Sequence, residues 1–148
     1  MKKIFFRSPV LGRLGSRISD SRKLAILYRA LRVFFPDIDR VAVALYDAKT
    51  GTAGTFLSCG ERRSPLESYE ARLSHAPSLR RIARTRRIRV VNDLDVFAEG
   101  SRAHTQAIRA GGFRAGATFP VIVEGRLEAF VFFNSRRKNA FAPADLLL

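Results

Sequence analysis

The chain has 148 residues, which suits one domain of ordinary size and is short for two. Its 47% hydrophobic content argues against global disorder, its single cysteine excludes an internal disulfide or a cysteine cage for a metal, and its two histidines exclude a three-histidine zinc site. Lys and Arg outnumber Asp and Glu by 27 to 13, a formal charge of +14 that gathers in two acid-free stretches, residues 1–19 and residues 76–91.

Residues 1–19 carry Lys2, Lys3, Arg7, Arg13 and Arg17 and read as a disordered basic leader. The apolar start ends at Arg7, too early for the roughly 7–15 apolar residues of a signal peptide. The uncharged apolar runs, such as Val41–Tyr46 and Ala129–Phe133, are far below the ~20 residues that span a bilayer. No membrane span and a cytoplasmic location are therefore expected.

Residues 20–35 read as a helix, capped at Ser19 or Asp20 and stopped by Pro36. Leu24, Leu27, Leu31 and Phe34 form the stripe expected to face the core. Ile26, Ala30 and Val33 form a second stripe, which suits a partner subunit. Arg40–Tyr46 alternates as a strand, with Val41, Val43 and Leu45 on one face and Ala42, Ala44 and Tyr46 on the other. The turn Asp47–Gly51 joins it to a second strand, Thr52–Cys59, closed by Gly60. Leu66, Tyr69 and Leu73 suggest a short helix. Pro77 opens another through Leu79, Ile82 and Ala83. Its outer face carries the arginine cluster Arg80, Arg81, Arg84, Arg86, Arg87 and Arg89, which is expected to be exposed.

Ile88–Val91 is a short strand ended by Asn92-Asp93. A helix follows over 102–110, ended by Gly111-Gly112. Phe113–Val123 reads as a strand with Pro120 at an edge or a bulge. Glu124-Gly125 turns into the strand Leu127–Asn134. Pro143 starts a last helix that is cut off at Leu146-Leu147-Leu148. Two hairpins exclude a doubly wound parallel sheet. The fold class is α+β: a central antiparallel sheet with helices on both faces, in α-β-α layers, over residues 20–148 as a single domain.

The run Ser78-Leu79-Arg80-Arg81-Ile82-Ala83 followed by Arg89-Val90-Val91-Asn92-Asp93-Leu94 resembles the middle of a GAF domain. So do Gly112-Phe113-Arg114, Thr118-Phe119-Pro120-Val121 and the strand end Phe130-Val131-Phe132-Phe133-Asn134-Ser135. The resemblance covers residues 20–148 and rests on diffuse pattern rather than on a catalytic signature. It implies a regulatory, non-enzymatic sensor of a bacterial signalling protein, with a small-molecule pocket over one sheet face. It also implies a homodimer through terminal helices and a kinase, cyclase or phosphodiesterase effector domain. The sequence names no cofactor. The Asn-Lys…Phe…Asp-Glu signature of cyclic-nucleotide binders is absent. Cys59 is followed by Gly60 rather than His, which argues against a covalent bilin, and one cysteine cannot run the disulfide cycle of a methionine sulfoxide reductase. Ala115, Gly116, Ala117 and Ala129 stand where relatives favour hydroxyls or glycine, so one pocket wall is expected to lack polar groups.

No catalytic set is legible: Ser101 and His104 lie one helical turn apart without a third member. No Gly-Lys-Ser/Thr follows the glycines, so no phosphate loop is present. Asp93 and Asp95 after Asn92 fit a turn and helix cap better than a metal pair. The candidate ligand-binding residues are Asp93, His104, Arg114 and Thr118, expected to converge around one cavity. Asp93 follows a strand end and His104 opens a helix. Arg114 and Thr118 are four apart on a strand and so share a face unless a bulge intervenes. His104 equally suits a fastening role between helix and loop, and Arg114 a solvated one. The alternative function is a non-enzymatic module for polyanions such as nucleic acid, resting on charge alone, since no aromatic platform accompanies the arginines.

Overall fold

A computed structural model describes residues 19–60, 70–97 and 103–141. The basic leader, the Leu66 and Tyr69 part of the expected short helix, Ser101, and the helix expected from Pro143 lie outside the described residues. Helix α1 (Asp20–Phe34) begins where Ser19 predicts, with the Ser19 hydroxyl accepting from the Arg22 N–H at 3.4 Å. Its core stripe is Leu24, Tyr28, Leu31 and Phe35. The expected Phe34 is instead 70% exposed. The 3.6-residue period aligns Leu24 with Tyr28 and then Leu31, and the chain turns at the helix end to bring Phe35 inward. Tyr28 is tolerated there because its hydroxyl donates to the Asp39 carbonyl at 3.0 Å.

Six strands make one antiparallel sheet in the order β3-β2-β1-β6-β5-β4. They are β1 (Arg40–Asp47), β2 (Thr52–Gly60), β3 (Glu70–Arg72), β4 (Arg89–Val91), β5 (Ala115–Val123) and β6 (Arg126–Ser135). β1 and β2 form the first hairpin, β5 and β6 the second, and β1 pairs with β6 to join them. The helix expected through Leu73 is corrected: Glu70–Arg72 pairs as a strand with Thr52–Gly54, and Leu73–His75 is a single 3-10 turn. The outer edge of β2 offers unpaired backbone groups, and satisfying them outweighs weak helical spacing. Pro120 lies in β5 beyond the reach of β4, which covers only Gly116–Thr118, so its missing N–H falls where the strand has one neighbour. The register shift comes just after it, between Val121 and Ile122.

Helix α1 covers one face of the sheet over Val41, Ala115 and Ala117, with Val43, Val131 and Phe133 packed around them. Helix α2 (Pro77–Thr85) covers the other through Ile82, which packs with Ala44, Ala53, Leu73, Leu127 and Phe130. Helix α3 (Ala103–Ala110) is seated by Ile108 against Leu94 and Phe113 at the β4 end. The architecture is thus α+β with helices on both faces. Among the described residues no helix is long and apolar enough to cross a membrane.

Candidate functional site

Directly paired residues of neighbouring strands share a face. The register therefore lays out the α2 side of the sheet as rows. Val91, Gly116, Asn134 and Arg40 form one row across β4, β5, β6 and β1. Arg89, Thr118, Phe132 and Ala42 form the next. A cavity of about 400 Å³ opens over these rows, a size that suits a small organic ligand. Its floor is Val91, Gly116, Asn134, Arg89, Thr118 and Phe132, and its roof is Leu79 and Ile82 of α2, Leu94, and Thr105 and Ile108 of α3. Glu70, Arg72 and His75 stand on its wall at the β3 side.

The polar corner is built from three groups that are not among the four candidate ligand residues. Arg40 is only 4% exposed, and it donates from Nη1 to Oδ1 of Asn134 at 2.7 Å. Its Nε is buried without a partner, and among the described residues no carboxylate pairs with it. Burial pushes its guanidinium down from the ordinary arginine range to about 10. Asn134 is itself buried, and because its oxygen is taken by Arg40 its Nδ2 is the group left for the cavity. Gly116 makes room for that amide: a Cβ there would come within 3.2 Å of Nδ2. Arg89 is the third. It was expected among the exposed arginines but is half-buried on the cavity floor, and burial, then the charge of Arg81, lowers its pKa. Arg80, Arg81, Arg84, Arg86 and Arg87 are exposed as expected. A polar side chain in phase with Phe130 and Phe132, as Asn134 is, was the legible signal for this corner.

Of the four candidate ligand-binding residues, Thr118 lines the cavity. No bulge separates it from Gly116, so the strand phase holds. Arg114 lies just before β5 begins. Its Nη1 donates to the carbonyls of Arg109 and Phe113 at 3.4 and 3.3 Å. The nearby Arg136 donates to the Gly111 carbonyl at 2.7 Å and lies over the Phe113 ring. Both arginines thus serve the carbonyls at the α3 C-terminus, where orphan acceptors and the helix dipole favour cations. Gly112, at φ +87, leaves space for the Arg136 guanidinium. Asp93 accepts from the Asp95 N–H at 2.9 Å and from Lys138 at 3.1 Å, the cap geometry that its sequence context suggested. Neither Asp93 nor Arg114 is on the cavity wall, and the His104 side chain lies outside the described residues. The four are therefore not brought together.

The pocket wall expected to be stripped of polar groups is also corrected. Ala115 and Ala117 face α1, on the opposite side of the sheet, because alternation leaves only Gly116 on the cavity side. Cys59 also packs against the α1 side, and burial raises its thiol pKa despite Arg29. Among the described residues no group of three His, Cys, Asp or Glu could hold a metal ion.

No family model matches the sequence, and no curated protein does so. Solved structures do. A GAF domain/HD domain protein from Geobacter sulfurreducens superposes with a TM-score of 0.68 at 17% identity, over 93% of this chain and 86% of that one. The type II free methionine-R-sulfoxide reductase from Thermoplasma acidophilum gives 0.60 at 17% identity, over 84% and 80%. The chromophore-binding domain of the Stigmatella aurantiaca bacteriophytochrome gives 0.63 at 14% identity; this chain spans 52% of its length. With the sheet order and the helices on both faces, these matches establish that the chain has a GAF-like fold.

Proposed function

We propose that the chain is a non-catalytic sensory module that binds a small molecule between its sheet and the roof of α2 and α3, and passes the change to a partner domain. The observation that carries this reading is the cavity itself: apolar side chains of sheet and helices with a few polar groups among them, over the sheet. A chromophore-binding domain and a phycocyanobilin-bound GAF domain among the structural relatives support ligand binding on this fold. The test is native mass spectrometry of the purified full chain, with amide spectra recorded against a small-fragment set. A retained small molecule, or shifts centred on Gly116, Thr118 and Ile82 that Thr118→Trp abolishes, is the expected result. No retained mass and no shift at these amides refutes it.

Dimerisation belongs to the same reading. At the end of α1, Val33 is 77% and Phe34 70% exposed, an apolar tip suited to a second copy. Ile26→Glu with Val33→Glu should lower the solution mass to that of the monomer with the fold intact. A wild type already monomeric at tens of micromolar concentration refutes this element.

A further inference from the structure

We propose that the ligand is a small organic carboxylate, its charged end seated on the Asn134 amide and the Thr118 hydroxyl in the positive field of Arg40 and Arg89, and its apolar body between Phe132 and α2. The proposal rests on the reading of the cavity as a ligand site and adds the chemical class.

It starts from Arg40. A cation this buried costs several kcal/mol unless an anion or a full set of acceptors meets it. Among the described residues it meets one neutral acceptor, the Asn134 oxygen, and its Nε meets none. Arg40 does not reach the cavity wall, but Asn134 does, on the same row. The hydrogen bond fixes the amide: with Oδ1 facing a cation, Nδ2 must turn the other way as a donor. Arg40 is thus a positioning residue that orients Asn134 and leaves a positive field behind it. On the adjacent row Arg89 and Thr118 are direct cross-strand partners. Asn134 and Thr118 are diagonal neighbours on β6 and β5, about 7–8 Å apart in backbone position. One carboxylate bridges that span when each oxygen accepts a hydrogen bond. Arg81 next to Arg89 adds to the positive potential. The only carboxylate on the described wall is Glu70, exposed at the β3 side. The described donors are side chains of neighbouring strands, without a glycine loop or a nest of backbone N–H groups, which fits a carboxylate better than a phosphate. Phe132, Leu79 and Ile82 supply the apolar remainder of the cavity.

The test titrates the full chain with benzoate, benzamide and phenyl phosphate, following backbone amides by NMR. Benzoate should bind at least about tenfold more tightly than benzamide and more tightly than phenyl phosphate, with shifts centred on Gly116, Thr118 and Asn134. Asn134→Asp pairs a carboxylate with Arg40 inside the wall; it should abolish benzoate binding and change benzamide binding by less than about twofold. Thr118→Val, which keeps the shape, should weaken benzoate several-fold and serves if Asn134→Asp does not fold. Benzamide binding as tightly as benzoate at these amides overturns the carboxylate assignment and leaves the sensory reading standing. A preference for phenyl phosphate does the same. A benzoate preference that survives both variants places the anion elsewhere and also overturns it. Silence of these amides toward all three probes overturns it too, and with no small molecule retained by the purified chain the sensory reading falls with it.

Discussion

Ala115, Gly116 and Ala117 are adjacent on β5 yet serve opposite sides of the sheet. The two alanines are 0% and 1% exposed on the α1 side of the sheet, in an apolar cluster with Leu24, Tyr28, Val41 and Phe141. On the other side, Gly116 opens onto a cavity whose floor holds Asn134, Thr118 and Arg89, with a buried cation behind it. One face is optimised for packing and the other keeps space and charge that packing alone would remove. Buried polar groups in a cavity are a cost to stability, and such costs concentrate where binding occurs.

The comparison can be broken most severely within β6. Phe130 is 0% exposed and meets Tyr46 edge to face at 6.4 Å, whereas Phe132, two residues on, borders the cavity. Phe130→Ala should lose about 3–5 kcal/mol in urea unfolding. Phe132→Ala should lose less than half of that, since part of its surface already has no neighbour; equal losses would mean that the space over Phe132 is filled.

Replacing the charge on the cavity face should act in the opposite direction. Arg40→Met with Asn134→Leu removes the buried cation and its acceptor together and should raise stability by about 1–4 kcal/mol. The sign follows from Arg40's lowered pKa: the folded state disfavours the charged form, so the penalty is present in full below about 10 and is relieved only above it. The gain should therefore be constant across neutral pH. A loss of stability would show that Arg40 is better compensated than its single neutral partner indicates.

The two sides of β5 give the next contrast. Ala117→Leu overpacks the α1 interface and should cost about 1–3 kcal/mol. Gly116→Ala crowds the Asn134 amide and touches the Phe133 carbonyl only at ordinary contact distance, so it should change stability by less than about 1 kcal/mol while weakening benzoate binding. Thermal midpoints and titrations on the two variants separate the faces directly.

The smallest effect lies at an exposed corner outside both faces. A hydrogen bond from Lys138, aided by Arg109, holds the Asp95 carboxyl below its ordinary pKa against the opposing effect of desolvation, and Asp95, then Asp93, holds the Lys138 ammonium above its own. The Asp95 contribution is present above the ordinary carboxylate pKa and fades as pH falls through the depressed folded value. The Lys138 contribution is full below its ordinary pKa and fades as pH rises through the raised one. Lys138→Met should lower the thermal midpoint slightly at neutral pH and not at all once Asp95 is protonated. A difference that persists in acid would assign the effect to packing.

Local pattern sufficed for most elements because strand alternation and helix punctuation are short-range. Val41 and Val43 against Ala42 and Ala44 divided as expected between the two faces, Pro77 opened α2, and Ser19 capped α1. β3 escaped notice because an edge strand of three residues is stabilised by its neighbour rather than by its own pattern. Among the described candidate ligand residues only Thr118 lies on the cavity wall, since its phase along β5 is local information. Arg114 was misread because the acceptors that claim it, at the end of α3, are brought near by the fold.

By itself, then, the order and type of residues determined the hairpins, the main helices and the α+β class, which follow from periodicities of a few residues, while its sequence runs carried the resemblance to GAF domains. The site was a matter of tertiary structure. Arg40 and Asn134 are 94 positions apart, and only the pairing of β1 with β6 makes one the partner of the other. Which of the arginines and lysines is buried, capping or solvated depends on which carbonyls, carboxylates and cavities the folded chain brings within a few ångströms, because desolvation and hydrogen bonding act over distances in space and not along the sequence.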